Sequence, residues 1–185
     1  IANFVKVNGG CPTYTHWKQV IDKPDVVISA LPYHATKECA KWAMESGFRY
    51  CDLGGSVPTS EAIKELALQN KTGFPVMTDL GLAPGWINLM AEELYALLPG
   101  ASKVKMMVGG IPSQKVDADP LNYMITWSID GLLNEYQDHC ELLMENEVHI
   151  VSGMSLLENV VIDGMQLEAF CTSGASAHSI PAMKQ

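Results

Sequence analysis

Three residues in the first half of this 185-residue chain could handle a proton beside a bound ligand: Tyr33, Asp52 and Asp79. Each stands at the end of a short apolar stretch. Val26 to Pro32 leads into Tyr33, Phe48 to Cys51 into Asp52, and Phe74 to Thr78 into Asp79. Two of them open the same triplet, Asp52-Leu53-Gly54 and Asp79-Leu80-Gly81. A carboxylate where a buried strand runs out suits general acid–base work, and the glycine after it lets a ligand approach the backbone. Each residue alone has a plainer reading. Tyr33 could pack at a strand end with its hydroxyl in water, and the two carboxylates could bond to N–H groups of their own turns.

What makes the three interesting together is the set of elements that would position them. Val26 to Leu31 is apolar and β-branched, the pattern of a strand covered on both faces in a parallel sheet, and Pro32 stops it. His34 to Ser46 reads as a helix with Ala35, Cys39, Ala40, Ala43 and Met44 on one stripe, closed by Gly47. Phe48 to Leu53 is the next strand. Thr59 caps a helix to about Asn70, and Phe74 to Asp79 is the third strand. Strands alternating with helices imply parallel βαβ units, whose strands all end on one rim. Ligands of open α/β sheets bind at that rim. Upstream, Phe4 to Val7 could add a strand and Thr15 to Ile21 a short helix.

The seven residues from Asp79 to Gly85 combine a strand end, a glycine turn and a helix start, with Pro84 suited to the first helical turn. They divide the chain into a first domain, 1–83, and a second, 84–185. The second half changes character. A helix from Gly85 to Leu98 buries Ile87, Met90, Leu94 and Leu97. Strands follow at Ser102 to Val108 and Leu121 to Trp127, then a short helix through Tyr136. A hairpin pairs Cys140 to Met144 with Val148 to Val151, and Gln166 to Thr172 is the last strand. This is the pattern of a mixed or antiparallel sheet.

Composition narrows the classes. Hydrophobic residues make up 48% and charged residues 18%, which excludes disorder. The formal charge of −9 comes without a basic cluster and argues against nucleic acid or an anionic membrane as partner. No apolar run approaches the roughly 20 residues of a membrane span. Five cysteines without a CxxC support neither a disulfide framework nor a zinc ribbon. His16, His139, His149 and His178 lack metal-ligand spacing, so no metal is expected. A reduced, cytoplasmic setting fits. The chain opens on Ile1 and stops soon after Ser173-Gly174-Ala175-Ser176, so the expectation is a part of a longer polypeptide.

Several motifs in collinear order resemble the saccharopine dehydrogenase family. They are Val26 to Tyr33, Cys51-Asp52-Leu53-Gly54-Gly55, and Asp79 to Gly85. Val108 to Pro112, Pro120 to Tyr123, Gly131 to Tyr136 and Glu168 to Gly174 are similar to its lysine 6-dehydrogenase branch. The resemblance implies an α/β fold in which a partial Rossmann-type parallel sheet precedes an α+β catalytic and dimerisation domain with a mixed sheet. It implies an oxidoreductase that uses NAD or NADP to oxidise the amine of lysine or a lysine adduct, and a homodimer formed through the second domain.

In that frame Tyr33, Asp52 and Asp79 are the catalytic candidates. Ala30, Leu31 and Pro32 would floor the nicotinamide, with Gly54, Gly55, Gly81 and Pro84 also at the cofactor. Asn122, Tyr123 and Ser173 would meet the substrate. One departure matters: the Gly-x-Gly-x-x-Gly turn that holds a pyrophosphate is absent, and neither Gly9-Gly10 nor Gly109-Gly110 replaces it. A non-catalytic dimerisation or binding module is therefore the competing expectation.

Overall fold

The computed structural model describes residues 16, 24–70, 73–98, 100–112 and 129–174. Three strands form one sheet: β1 (Val26–Ser29), β2 (Arg49–Asp52) and β3 (Val76–Met77), in the spatial order β1-β2-β3. Both pairings are parallel. Val26 to Ser29 run in register with Arg49 to Asp52, and Tyr50 and Cys51 with Val76 and Met77. Between the strands lie α1 (Tyr33–Glu45) and α2 (Val57–Gln69). All three strands therefore end on one edge, as the βαβ pattern requires.

The two helices cover a single face. With the strands laid down in one direction, right-handed crossovers return both helices to the same side. Ala40 and Ala43 of α1, at 0% exposure, allow close approach, and with Cys39 and Met44 they pack around Tyr50 and Ile63. Val27, Leu31, Phe48 and Val76 close the margins of this core. The opposite face is bare among the described residues: Val26, Ile28 and Met77 are 45%, 68% and 54% exposed. The expectation of a strand covered on both faces is thus corrected, because alternation along β1 puts Val27 and Ser29 under the helices and Val26 and Ile28 away from them.

Other boundaries move for local reasons. Helix α1 starts at Tyr33, straight after Pro32, whose carbonyl accepts from the Ala35 N–H and the Thr36 hydroxyl. Gly47 does close it, at φ +75°. Helix α2 begins at Val57 with Ser56 as its cap position, three residues before the expected cap Thr59, and Pro58 fills its first turn. Strand β3 keeps only two residues, since Pro75 offers no N–H to a ladder and Asp79 leaves the extended region at φ +65°.

In the second half α3 spans Trp86–Leu97 and α4 spans Ile129–Gln137. Two antiparallel hairpins follow: β4 (His139–Met144) with β5 (Glu147–Ser152), and β6 (Glu158–Ile162) with β7 (Met165–Ala169). Their two-residue turns, Glu145-Asn146 and Asp163-Gly164, have positive φ at both positions, the geometry that matches strand twist. Residues 158–162 were not expected as a strand, and residues 101–112 lack the strand expected over 102–108. Lys105 nevertheless ties that segment to β6, its ammonium 2.6 Å from both oxygens of Glu158. That contact holds the Glu158 carboxyl below the usual range. The expected strand at 121–127 lies outside the described residues, as do the stretches at 4–7 and 15–21 apart from His16. The helix start expected of Pro84 falls instead at Trp86, after a cis Ala83–Pro84 bond, with Gly85 in the cap position.

The core makes a direct prediction. Truncating Ile63, which is 0% exposed, to alanine should cost about 2–5 kcal/mol, through lost burial plus an unfilled cavity. A fall in the urea midpoint at unchanged slope is the expected readout.

Candidate active-site cleft

The rim is built by three loops, one from each parallel strand. Asp52 terminates β2 and is 1% exposed. Its Oδ1 accepts from the Gly54 N–H at 2.9 Å and from the Asp79 N–H at 3.1 Å, while its carbonyl accepts from the Leu80 N–H at 2.8 Å. One carboxylate thus fastens its own loop to the next. Its second oxygen is buried with no hydrogen-bond partner among the described residues, as is Ser29 Oγ in register on β1. Orphaned buried acceptors cost stability and call for a reason. Here the reason is the loop geometry that the first oxygen fixes. Burial and the nearby Asp52 charge push the Tyr50 hydroxyl up.

Asp79 is 5% exposed and held from the other side. The Ser60 hydroxyl of α2 donates to its Oδ1 at 2.6 Å and the Thr78 hydroxyl to its Oδ2 at 2.8 Å. A non-glycine residue at φ +65° is strained unless its surroundings hold it, and here bonds with Ser60 of α2, Asp52 of β2 and the neighbouring Thr78 do so. Gly54 fits only as glycine: a Cβ there would meet Asp79 Oδ1 at 2.7 Å and the Pro84 ring at 3.1 Å. Gly55, at φ +123°, abuts the Tyr33 Cβ instead. Beyond Asp79 the backbone doubles back on itself. Gly81 bridges to Gly85, and the Trp86 N–H donates to the Gly81 carbonyl at 2.8 Å. Asn88 Oδ1 accepts from the Gly85 N–H at 2.9 Å and so closes the start of α3.

Facing this rim is α4 with the start of β4. Gly55 to Pro58, Asp79 and Pro84 form one wall of a cleft of about 240 Å³, and Asn134, Glu135, Asp138, His139, Glu141, Ser173 and Gly174 form the other. Ser173 fixes its own wall: its N–H donates to the Glu135 carbonyl at 3.0 Å and its hydroxyl to the Asn134 carbonyl at 3.3 Å. Burial pushes the Glu135 carboxyl up to about 7. Asp138, His139 and Glu141 are exposed at the mouth.

The expected residues divide accordingly. Asp79, Gly55, Pro84 and Ser173 line the cleft, although they lie far apart in sequence. Tyr33 stands at the same rim beside Gly55, its ring edge-on to His34. Asp52 lies beneath the rim and acts on loop geometry, without lining the cleft. Gly54 and Gly81 form the loop backbone between, where a Cβ on Gly81 would meet the Leu53 carbonyl at 2.6 Å. Ala30 and Pro32 are exposed beyond β1, and Leu31 is half-buried. These rim residues offer open backbone and no bulky side chain, which fits the nicotinamide end of a dinucleotide, and none supplies a charge for its pyrophosphate. Asn122 and Tyr123 lie outside the described residues. Sequence reasoning missed Ser60, Thr78, Glu135, Asp138 and His139. Ser60 could have been found as a small polar residue on the otherwise apolar inner stripe of α2.

Residues 81–184, more than half of the chain, match the family described as saccharopine dehydrogenase C-terminal domain. The chain belongs to the saccharopine dehydrogenase family. It is 31% identical to the mitochondrial alpha-aminoadipic semialdehyde synthase of Mus musculus, over 83% of this chain and 17% of that protein. It is 28% identical to the saccharopine dehydrogenase [NADP(+), L-glutamate-forming] of Saccharomyces cerevisiae, over 75% of this chain and 32% of that protein. The solved apo saccharopine dehydrogenase (L-Glu forming) from the same yeast superposes with a TM-score of 0.59 at 25% identity, covering 83% of this chain and 36% of that one. The chain therefore spans well under half the length of these saccharopine dehydrogenase relatives.

Two predictions follow from the site's electrostatics and bonding. Asp52→Ala would strand two buried N–H groups and should cost roughly 2–4 kcal/mol, while Asp52→Asn, which keeps an acceptor, should cost far less. Thermal unfolding of both variants measures the difference. Glu135 binds its proton more tightly folded, with a value of about 7 against 4.5 free. Its stabilising contribution is complete below about pH 4.5 and disappears as pH rises through about 7. Glu135→Gln should accordingly match the parent at pH 4 and exceed it at pH 8, by on the order of 2 kcal/mol after allowance for solvent reaching the cleft.

Proposed function

We propose that the chain is part of an NAD- or NADP-dependent oxidoreductase of amino-acid metabolism that oxidises the amine of lysine or a lysine adduct such as saccharopine. The observation that carries this reading is the joining of the Gly54-Gly55 and Asp79 loops at the carboxyl edge of a parallel sheet, facing a carboxylate-lined wall. The first supplies a surface for a nicotinamide, and the second complements a substrate ammonium group. The relatives' names supply the class: alpha-aminoadipic semialdehyde synthase, and a saccharopine dehydrogenase that uses NADP(+).

The chemistry divides simply. A dinucleotide held at the Gly54-Gly55 rim would supply the hydride acceptor for the carbon next to nitrogen. The chain's own residues orient the amine, keep the rim loops in place and move the nitrogen-bound proton. Asp79, fixed by Ser60 and Thr78, is placed to accept a hydrogen bond from the substrate ammonium group. Tyr33 stands where its phenol can bond to a ligand at the rim. The division of labour between residues 1–83, for cofactor, and 84–185, for substrate and dimer formation, belongs to the same proposal.

Titration of the full protein with NADH and NADPH, followed by fluorescence, should give saturable binding of at least one. Absence of both, with a stable dimer by light scattering, would favour a non-catalytic module. Assay against lysine, saccharopine and a carboxylated polyamine names the substrate. Asp79→Asn should lower turnover by roughly a hundredfold or more, with the unfolding temperature little changed. Unaltered kinetics would remove Asp79 from the reaction.

A further inference from the structure

Beneath the rim lie two polar atoms that burial keeps from bulk water and that no described residue satisfies: Ser29 Oγ and Asp52 Oδ2. Their residues are 4% and 1% exposed. Parallel pairing sets Ser29 and Asp52 side by side in register on β1 and β2. Alternation turns both side chains to the face that α1 and α2 cover. An unbonded buried hydroxyl costs stability, and an unbonded oxygen of a buried carboxylate costs more. Loop geometry decides where Oδ2 points, because Oδ1 is held by the Gly54 and Asp79 N–H groups, but it does not satisfy it. The two atoms are complementary, since a hydroxyl can donate and a carboxylate oxygen accepts, yet they do not bond to each other.

We propose that Ser29 and Asp52 form a binding site for one internal water molecule, which ties the end of β1 to the carboxylate beneath the rim. The dimensions suit such a bridge. Neighbouring strands lie roughly 4.8 Å apart, and two O–H···O bonds of about 2.8 Å each reach across that spacing. The water accepts from the Ser29 hydroxyl and donates one proton to Asp52 Oδ2. Its second proton goes to the oxygen of the Tyr50 hydroxyl, which itself donates to the Thr36 carbonyl at 3.4 Å. Tyr50 is 1% exposed, and its hydroxyl feels both Ser29 and Asp52, as does the thiol of Cys39 on α1. These side chains therefore share one small polar site under α1. Three bonds are the usual complement of a buried water.

The bridge would complete the fastening of the rim. Asp52 Oδ1 already joins the loop after β2 to the loop after β3. Through the water, Oδ2 reaches the last residue of β1, from which Ala30 leads on to Tyr33. The same loop is held at its far end by the Thr36 hydroxyl, which donates to the Leu31 and Pro32 carbonyls. A continuous chain of bonds then runs from Pro32 through Thr36, Tyr50 and the water to Asp52 and Asp79. Satisfied networks of this kind make their members rigid together. All three rim loops would move as one body, whichever ligand they serve.

High-resolution crystals of the intact protein test the site without any substitution. A density peak should lie about 2.6–3.2 Å from both Ser29 Oγ and Asp52 Oδ2. No peak there, or a direct bond between the two side chains, overturns the proposal. Crystals soaked in rubidium chloride separate water from a cation: an anomalous peak at the same point overturns the assignment to water. Ser29→Ala tests the link to the rim, read by amide hydrogen exchange in the intact protein. Exchange at Gly54 and Asp79 should quicken by roughly tenfold or more, and the unfolding temperature should fall by a few degrees. Exchange at the parent's rate at both amides overturns the tie between β1 and the rim loops.

Discussion

The cleft depends on one buried carboxylate that does not line it. Asp52 uses a single oxygen to accept two backbone N–H groups, one from its own loop and one from the loop after the next strand. Parallel strands bring their ends to one edge but do not fix the loops there, because consecutive loops share no ladder of bonds. Asp52 supplies the missing cross-link, and its carbonyl adds a third bond through Leu80. With that link in place Asp79 can occupy a left-handed backbone conformation and still present a fixed carboxylate. The left-handed backbone of Asp79 and the Asp52 oxygen with no partner among the described residues meet at this one link. Rim geometry is held at the expense of local comfort, as is common where structure serves chemistry.

This arrangement alters how the two Asp-Leu-Gly triplets are understood. They look equivalent in sequence and do different work. Asp52 ends a strand whose side chains alternate toward the helices, so its carboxylate points beneath the rim with Tyr50 and Ser29. Asp79 follows a strand only two residues long, broken by Pro75 on one side and a left-handed residue on the other. Its carboxylate turns up to the cleft instead.

Much of the parallel half was legible in the sequence, because βαβ order leaves little freedom once the strands are found. The convergence of Tyr33, Asp52 and Asp79 on one rim follows from topology alone. What the sequence concealed was the depth of each side chain: register and strand length decide whether a carboxylate lies beneath the rim or at it. Glu135 was hidden for another reason. Its surroundings are contributed by Gly55, Pro58 and Ser173, which no local pattern associates with an acid on α4. The hairpin at 158–169 escaped notice because its first strand, Glu158-Asn159-Val160-Val161-Ile162, lacks clean alternation, although Asp163-Gly164 signals its turn. The strand expected over 102–108 had the pattern but pairs with nothing among the described residues, and its Lys105 bridge to Glu158 holds it in place by charge.

The one-sided dressing of the parallel sheet has a practical corollary for anyone trimming the molecule. Val26, Ile28, Leu53 and Met77 form a greasy strip at 45%, 68%, 47% and 54% exposure, and β1 bonds to a neighbour along just one margin among the described residues. Such a strip beside an open strand margin invites other chains to stack and pair. A shortened version beginning near β1 would be prone to clump. Swapping Ile28 for threonine would moisten that strip without disturbing the buried side where Val27 and Ser29 lie.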